Sequence, residues 1–232
     1  MPFQTSVASQ QACGIEGDFA GHNPIFTRVT PDEGMFVAGA LAPFVGRFGW
    51  IALATGVVTS QHPGLAAANV SIGFIGRDNP VYFNPTSDSS MQTLAGREIA
   101  VLEDATVWAR FAAGATAGQK VYASYATGAC RAAATGAPAT ATGTTASTTN
   151  GSPNLSAVAG TLVPGEPISG TGIPAGAYVV SVNTAAATAV ISANATATGS
   201  AVALTRTTDF ETAWTVRSAC GNNELAKISV RG

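Results

Sequence analysis

Alternation of apolar and polar positions is the main signal in this chain, and its period is two. In 106–111, Val107, Ala109 and Phe111 fall on one face and Trp108 and Arg110 on the other, the pattern of a half-buried strand. Residues 97–105 lead into this strand with no break, and Lys120-Val121-Tyr122-Ala123-Ser124-Tyr125 follows the turn Ala117-Gly118-Gln119, which predicts a β-hairpin. Two more alternating runs, 212–217 and 225–230, flank a turn at Gly221-Asn222-Asn223 and are expected to close the sheet. Shorter strand candidates at 25–29, 35–37, 45–52, 56–59 and 70–75 are separated by Gly, Pro and Asp at the roughly 8- to 12-residue spacing of sandwiches and barrels. No segment has a helical period with caps, and 89–96 is read as a short helix or turn.

The pattern weakens after Arg131. From Ala132 to Thr205 the chain has one formal charge, Glu166, no His or Cys, and mostly Ala, Thr, Gly and Ser. Residues 132–151 read as a flexible lead-in. Beyond them, short β-branched runs at 155–158, 166–169, 177–182, 189–192 and 201–205 are punctuated by Gly and Pro, as in Pro167-Ile168-Ser169-Gly170-Thr171-Gly172. Ordinary composition resumes on both sides. The expected organisation is an N-terminal arm (1–12), a host domain (13–131 plus 207–232), and an inserted Ala/Thr/Gly-rich β-module (132–206). The fold class is all-β: a host β-barrel or β-sandwich, with a jelly roll one of its forms, carrying a small β-sandwich-like module.

Composition narrows the function. Charged residues are 10% of the 232 positions, against about 25% in ordinary globular proteins. Such a weakly hydrated surface suits a protein packed against others. A net charge of −2, with Lys and Arg scattered singly, provides no field for nucleic acid. The longest apolar stretch, 51–58, is too short to span a bilayer, and the N-terminus lacks the charged and apolar regions of a secretory signal. Cytoplasmic synthesis without membrane association is the expectation.

Candidate chemistry is sparse. His22 and His62 sit in turn-rich loops without a nucleophile elbow, and both are read as solvated or hydrogen-bonding loop residues. The close acid pairs are Glu16 with Asp18, Asp32 with Glu33, and Glu103 with Asp104; without an aromatic and polar cleft they read as turns or strand ends, not as a glycosidase or metal site. Cys13, Cys130 and Cys220 are far apart, with no Cys-x-x-Cys, and are expected to be free thiols. No phosphate-cradling glycine motif occurs. No catalytic residue, cofactor or metal is expected.

The runs Glu16-Gly17-Asp18-Phe19-Ala20-Gly21-His22-Asn23-Pro24, Val45-Gly46-Arg47-Phe48-Gly49-Trp50, Ala117-Gly118-Gln119-Lys120-Val121-Tyr122-Ala123 and Asn223-Glu224-Leu225-Ala226-Lys227-Ile228-Ser229 resemble tailed-bacteriophage capsid decoration, or structural cement, proteins. Gly165-Glu166-Pro167-Ile168-Ser169-Gly170 and its continuation look like small β-modules of phage virion and tail proteins, which the usual short cement form lacks. The resemblance implies a non-enzymatic protein synthesised in the bacterial host cytoplasm and added to the outer capsid surface, where it binds the major capsid protein, cements neighbouring capsomers and forms a homo-oligomer, dimer or trimer. The expected capsid or subunit contacts are Pro2, Phe3 and Gln4 in the arm and Glu16, Asp18, Phe19, Asn23 and Pro24 in the loop, with the module projecting outward. The alternative is a virion-displayed adhesin or carbohydrate-binding module, against which Tyr178 is the one aromatic in the insertion. An enzyme would rest on His22 or His62 and the acid pairs.

Overall fold

Residues 14–21, 25–28, 35–77 and 91–231 are described by the computed structural model, and they are almost entirely β. The first six strands are β1 (Phe26–Thr27), β2 (Val37–Ala38), β3 (Phe48–Ala52), β4 (Val57–Thr59), β5 (Val70–Phe74) and β6 (Leu102–Asp104). They form one sheet in the order β1-β6-β5-β3-β4-β2, antiparallel except for β2 beside β4. Both faces of β3 are buried: Phe48 and Trp50 enter one core, while Ile51 packs with Phe36, Val45, Val58, Ile75, Ile99 and Val101 in another. That explains an almost continuous apolar run where alternation would leave one face to water.

The remaining elements are β7 (Thr106–Phe111), β8 (Lys120–Ser124) and β9 (Cys130–Ala133), then β10 (Thr140–Thr148), β11 (Asn154–Ala159), β12 (Ile168–Ser169), β13 (Val179–Asn183), β14 (Thr188–Ile191) and β15 (Gly199–Thr207), and finally β16 (Asp209–Val216) and β17 (Glu224–Ser229). The second sheet has the order β7-β17-β16-β8-β9 and packs on the first through Val107, Phe111, Val121, Trp214 and Ile228 against Phe48, Trp50 and Phe74. These two sheets are called the body below.

Two expectations are corrected in the body. The run 97–111 is not one strand, because β6 and β7 belong to different sheets and buried Ala105 marks the crossing. β7 and β8 are not a hairpin. The turn before Gln119 exists, but the Gly118 N–H donates to Val216 O at 2.8 Å, and β17 and β16 lie between the two strands. Of the helix or turn read over 89–96, the structure has the turn: the Arg97 N–H donates to Leu94 O (3.2 Å) across Ala95-Gly96, Gln92 bridges Phe44, and 89–90 lie outside the described residues. One 3₁₀ turn, Ala67–Asn69, is the helical element among the described residues.

β10 to β15 pair with one another in the order β12-β15-β10-β11-β14-β13. The sheet curls until its ends meet: Pro167 bridges Tyr178, the Ile168 N–H donates to Ala177 O (2.9 Å), and the Gly165 N–H donates to Val179 O (2.7 Å). Ala146, Leu155, Ile168, Val179, Ile191 and Leu204 fill this barrel. The flexible lead-in expected over 132–151 is overturned, since β9 begins at Cys130 and β10 is a nine-residue strand paired on both sides. Its alternation is masked because threonines occupy interior positions beside Ala146. Each satisfies its hydroxyl locally, Thr144 by donating to Thr161 O (3.1 Å) and Thr148 to Ala197 O (2.9 Å).

Two chain crossings join body and barrel, and a polar cluster clamps them. Buried Asp209 pairs with Arg131 and accepts from the Ala139 N–H (2.6 Å), while Arg131 Nη2 donates to Ala137 O (2.8 Å). Tyr122 Oη lies 2.7 Å from both Ala134 O and Glu211 Oε2. The Gly136 N–H and the Tyr122 hydroxyl hold the Glu211 carboxyl below its ordinary range.

Candidate interaction ledge and junction cleft

Residues 15–20 run along the outer edge of β7. The Gly17 N–H donates to Trp108 O (2.8 Å), the Trp108 N–H to Asp18 O (2.9 Å) and the Ala20 N–H to Thr106 O (2.7 Å), with Phe19 bridging Val107. This satisfies backbone groups that an edge strand would otherwise offer to another chain. Glu16 Oε2 accepts from Arg110 Nε at 2.9 Å, and Arg110 Nη1 also donates to Asn223 O (2.6 Å). Asp18 lies 3.9 Å from Arg77, and Phe19 packs on the main core. The ledge therefore brings Glu16, Asp18 and Phe19 together, with the polar pair held by arginines of the same chain and Phe19 turned inward. Pro2, Phe3, Gln4, Asn23 and Pro24 lie outside the described residues.

Beside the ledge is a groove of about 760 Å³, lined by Ile15, Trp108, Arg110, Cys220, Leu225 and others. Ile15 is 51% exposed, and Lys227 Nζ sits 5.2 Å from the Trp108 ring centroid, a cation–π contact. Sequence reasoning passed over Ile15, Trp108 and Leu225. The usable signal was Trp108 on the outward face of an otherwise clean strand alternation.

The acids of the Glu103-Asp104 pair are each engaged by an arginine: Glu103 by Arg28 (3.5 Å) and Asp104 by Arg231 (2.6 Å). Glu166, 1% exposed, takes Arg206 on both oxygens at 2.8 and 3.1 Å and the Val163 N–H at 3.2 Å. Its burial pushes the carboxyl up and Arg206 pulls it down. Among the described residues, no cluster of three or more His, Cys, Asp and Glu is placed to hold a metal. Cys130 is a free thiol in the core, pushed well up by burial, and Cys220 is free at the groove. Cys13, His22, Asp32 and Glu33 are outside the described residues.

A second cavity, about 320 Å³, lies where body and barrel meet, lined by Trp50, His62, Leu65, Tyr125, Tyr178, Phe210 and neighbours. Trp50 stacks on Tyr125 (centroids 5.2 Å apart) and meets Phe210 edge-on at 5.8 Å. His62 is not solvated, being 7% exposed, and it hydrogen-bonds as the loop reading allowed. Tyr178 is not an isolated aromatic, because the body brings Trp50 and Phe210 to the same cleft. Long-range folding, not local pattern, assembles this group.

Fold and surface together define an all-β protein that offers a ledge, a groove of mixed apolar and charged lining, and a clamped barrel. Residues 3–157 match the family model described as XM1 gp53 minor capsid protein, which is more than half of the chain. The chain belongs to that family, a phage capsid-associated one, and so has a structural role in the virion. The match takes in the ledge and β1 to β10 and ends within β11. No match is found among curated proteins.

Proposed function

We propose that this protein binds the outer surface of an assembled phage capsid and cements neighbouring capsomers, acting as a homo-oligomer on the major capsid protein. The observation that carries this reading is the ledge, which lies beside a groove whose Ile15 and Trp108 offer apolar surface next to internally neutralised charge. In this reading residues 1–12 and 16–24 make the contacts, Pro2, Phe3, Gln4, Asn23 and Pro24 among them, and the module at 132–206 projects outward. Many copies, each making modest contacts, raise lattice stability by multivalency, because they bind the assembled shell and not loose subunits. Deleting residues 1–12 tests it. Co-sedimentation with expanded capsids is expected to fall by at least tenfold, and unchanged occupancy removes the arm from the reading.

The aromatic cleft favours a second reading, a virion-displayed adhesin. Tyr178 and the exposed Phe210 would stack on a neutral sugar there, with buried Trp50 backing Phe210 from below. Retention of the whole protein on a glycan array, lost on Phe210→Ala, would support it over the first.

A further inference from the structure

The loop Ser60-Gln61-His62-Pro63-Gly64-Leu65 belongs to the body but is gripped by the barrel. Its centre is His62, whose N–H donates to Tyr125 O at 2.9 Å and whose ring stands edge-on to Trp50 (centroids 4.7 Å apart) and Tyr125 (5.5 Å). Nδ1 accepts from the Gly64 N–H at 3.0 Å, so the neutral ring carries its proton on Nε2. The barrel side leaves no slack. A Cβ on Gly64 (φ +73°) would stand 1.9 Å from Val180 O, and one on Gly165 (φ +86°) would stand 2.1 Å from His62 Nδ1. Val163, just ahead of Gly165, joins the core of the body. Both glycines are thus required by close approach as well as by backbone angle.

We infer that His62 is the bolt of an acid-released latch that locks the barrel onto the body. Neutral, the ring supplies the acceptor that holds Gly64 against Val180 and packs its Nδ1 side closely on Gly165. Protonated, Nδ1 becomes a donor facing a donor, the Gly64 N–H is orphaned, and a positive charge is enclosed by Trp50, Tyr125 and Gly165. The junction then opens.

Burial lowers His62 from 6.5 to about 4. The open state therefore takes the proton more readily than the closed one. Closing is fully favoured above about 6.5, weakens about tenfold per pH unit down to about 4, and then levels off, a total of roughly 300-fold. Other ionisable groups face this site. Tyr125 is raised to about 12 by burial and stays neutral throughout, and Tyr178 lies across the cleft. Glu166, beside Gly165, is paired with Arg206, and Asp209, beside Phe210, is paired with Arg131. These are the charged groups nearest the latch, and β3 brings none.

The test is hydrogen exchange on the full chain from pH 7 to pH 4, corrected for intrinsic rates, comparing wild type with His62→Gln, which keeps an acceptor but does not titrate. Wild-type protection over 60–65 and 163–180 should fall by up to roughly 300-fold while β16 and β17 stay constant, and His62→Gln should be flat. Flat wild-type protection, or a variant that follows the wild-type curve, overturns the proposal. A ring-proton titration decides independently of how well glutamine seats. His62 should titrate near 4 in wild type and shift toward 6.5 in Gly165→Ala, whose Cβ displaces the ring. An ordinary value in wild type overturns the latch.

Discussion

The body and the barrel are both curled antiparallel β structures of short strands, yet they are stabilised by different means. The body has an aromatic core, with Phe48 edge-on to Phe74 (5.4 Å) and Trp214 (6.1 Å), and its surface has ion pairs such as Glu16–Arg110 and Arg28–Glu103. The barrel core is aliphatic and small, Ala146, Leu155, Ile191 and Leu204, and its interior threonines bond to nearby carbonyls. The one formal charge of 132–205, Glu166, is buried beneath Arg206, so the barrel's outer surface is uncharged over that span. A closed hydrogen-bonded sheet tolerates a weak core because few backbone groups are left for water or other chains to compete for. The body needs a larger core, since its first sheet is covered on both faces.

The largest effect should come from Phe48→Ala, which empties the aromatic core at a cost of about 3–5 kcal/mol. Followed by region-resolved hydrogen exchange in urea, the loss should appear in β3, β5 and β16 first. If β10 and β15 lose protection to the same degree, the two regions are one cooperative unit and the comparison breaks. Arg206→Met should follow, at about 3 kcal/mol, because it leaves the Glu166 carboxylate buried with the Val163 N–H as its remaining partner. Adding Glu166→Gln to that variant should restore a large part of the loss in chemical denaturation. No recovery would mean that the pair acts through packing. Gly64→Ala, pressed against Val180 O, should cost about 1–3 kcal/mol and lower protection at the junction while leaving both cores intact. Smallest is Glu16→Gln. Its arginine is half exposed, so about 0–1 kcal/mol is expected in thermal melts, and that little only at low salt.

Legibility followed hydrophobic contrast. β7, β16 and β17 were plain from alternation because apolar residues mark the inward face, and Trp108 was correctly set on the opposite face from Val107. β10 was missed because Thr144, Ala146 and Thr148 mark the interior with residues that also fill loops. Pairing was legible in one place only, where β16 and β17 pair across the turn at 221–223; the turn before Gln119 suggested a local hairpin, whereas β17 and β16, about a hundred residues on, take the places between β7 and β8. Of the contact positions expected from the sequence, Glu16, Asp18 and Phe19 do share the ledge, but their arginine partners and the groove at Ile15 and Trp108 arise from long-range packing that no short motif records.

Cryo-electron microscopy of the purified protein mixed with undecorated, expanded capsids from its own source tests the central claim most directly. The account predicts ordered density at symmetry-related sites on the outer shell, with the ledge at Glu16 to Phe19 toward the capsid and the barrel pointing away. Bare shells, or density in which the barrel makes the contact, would contradict it.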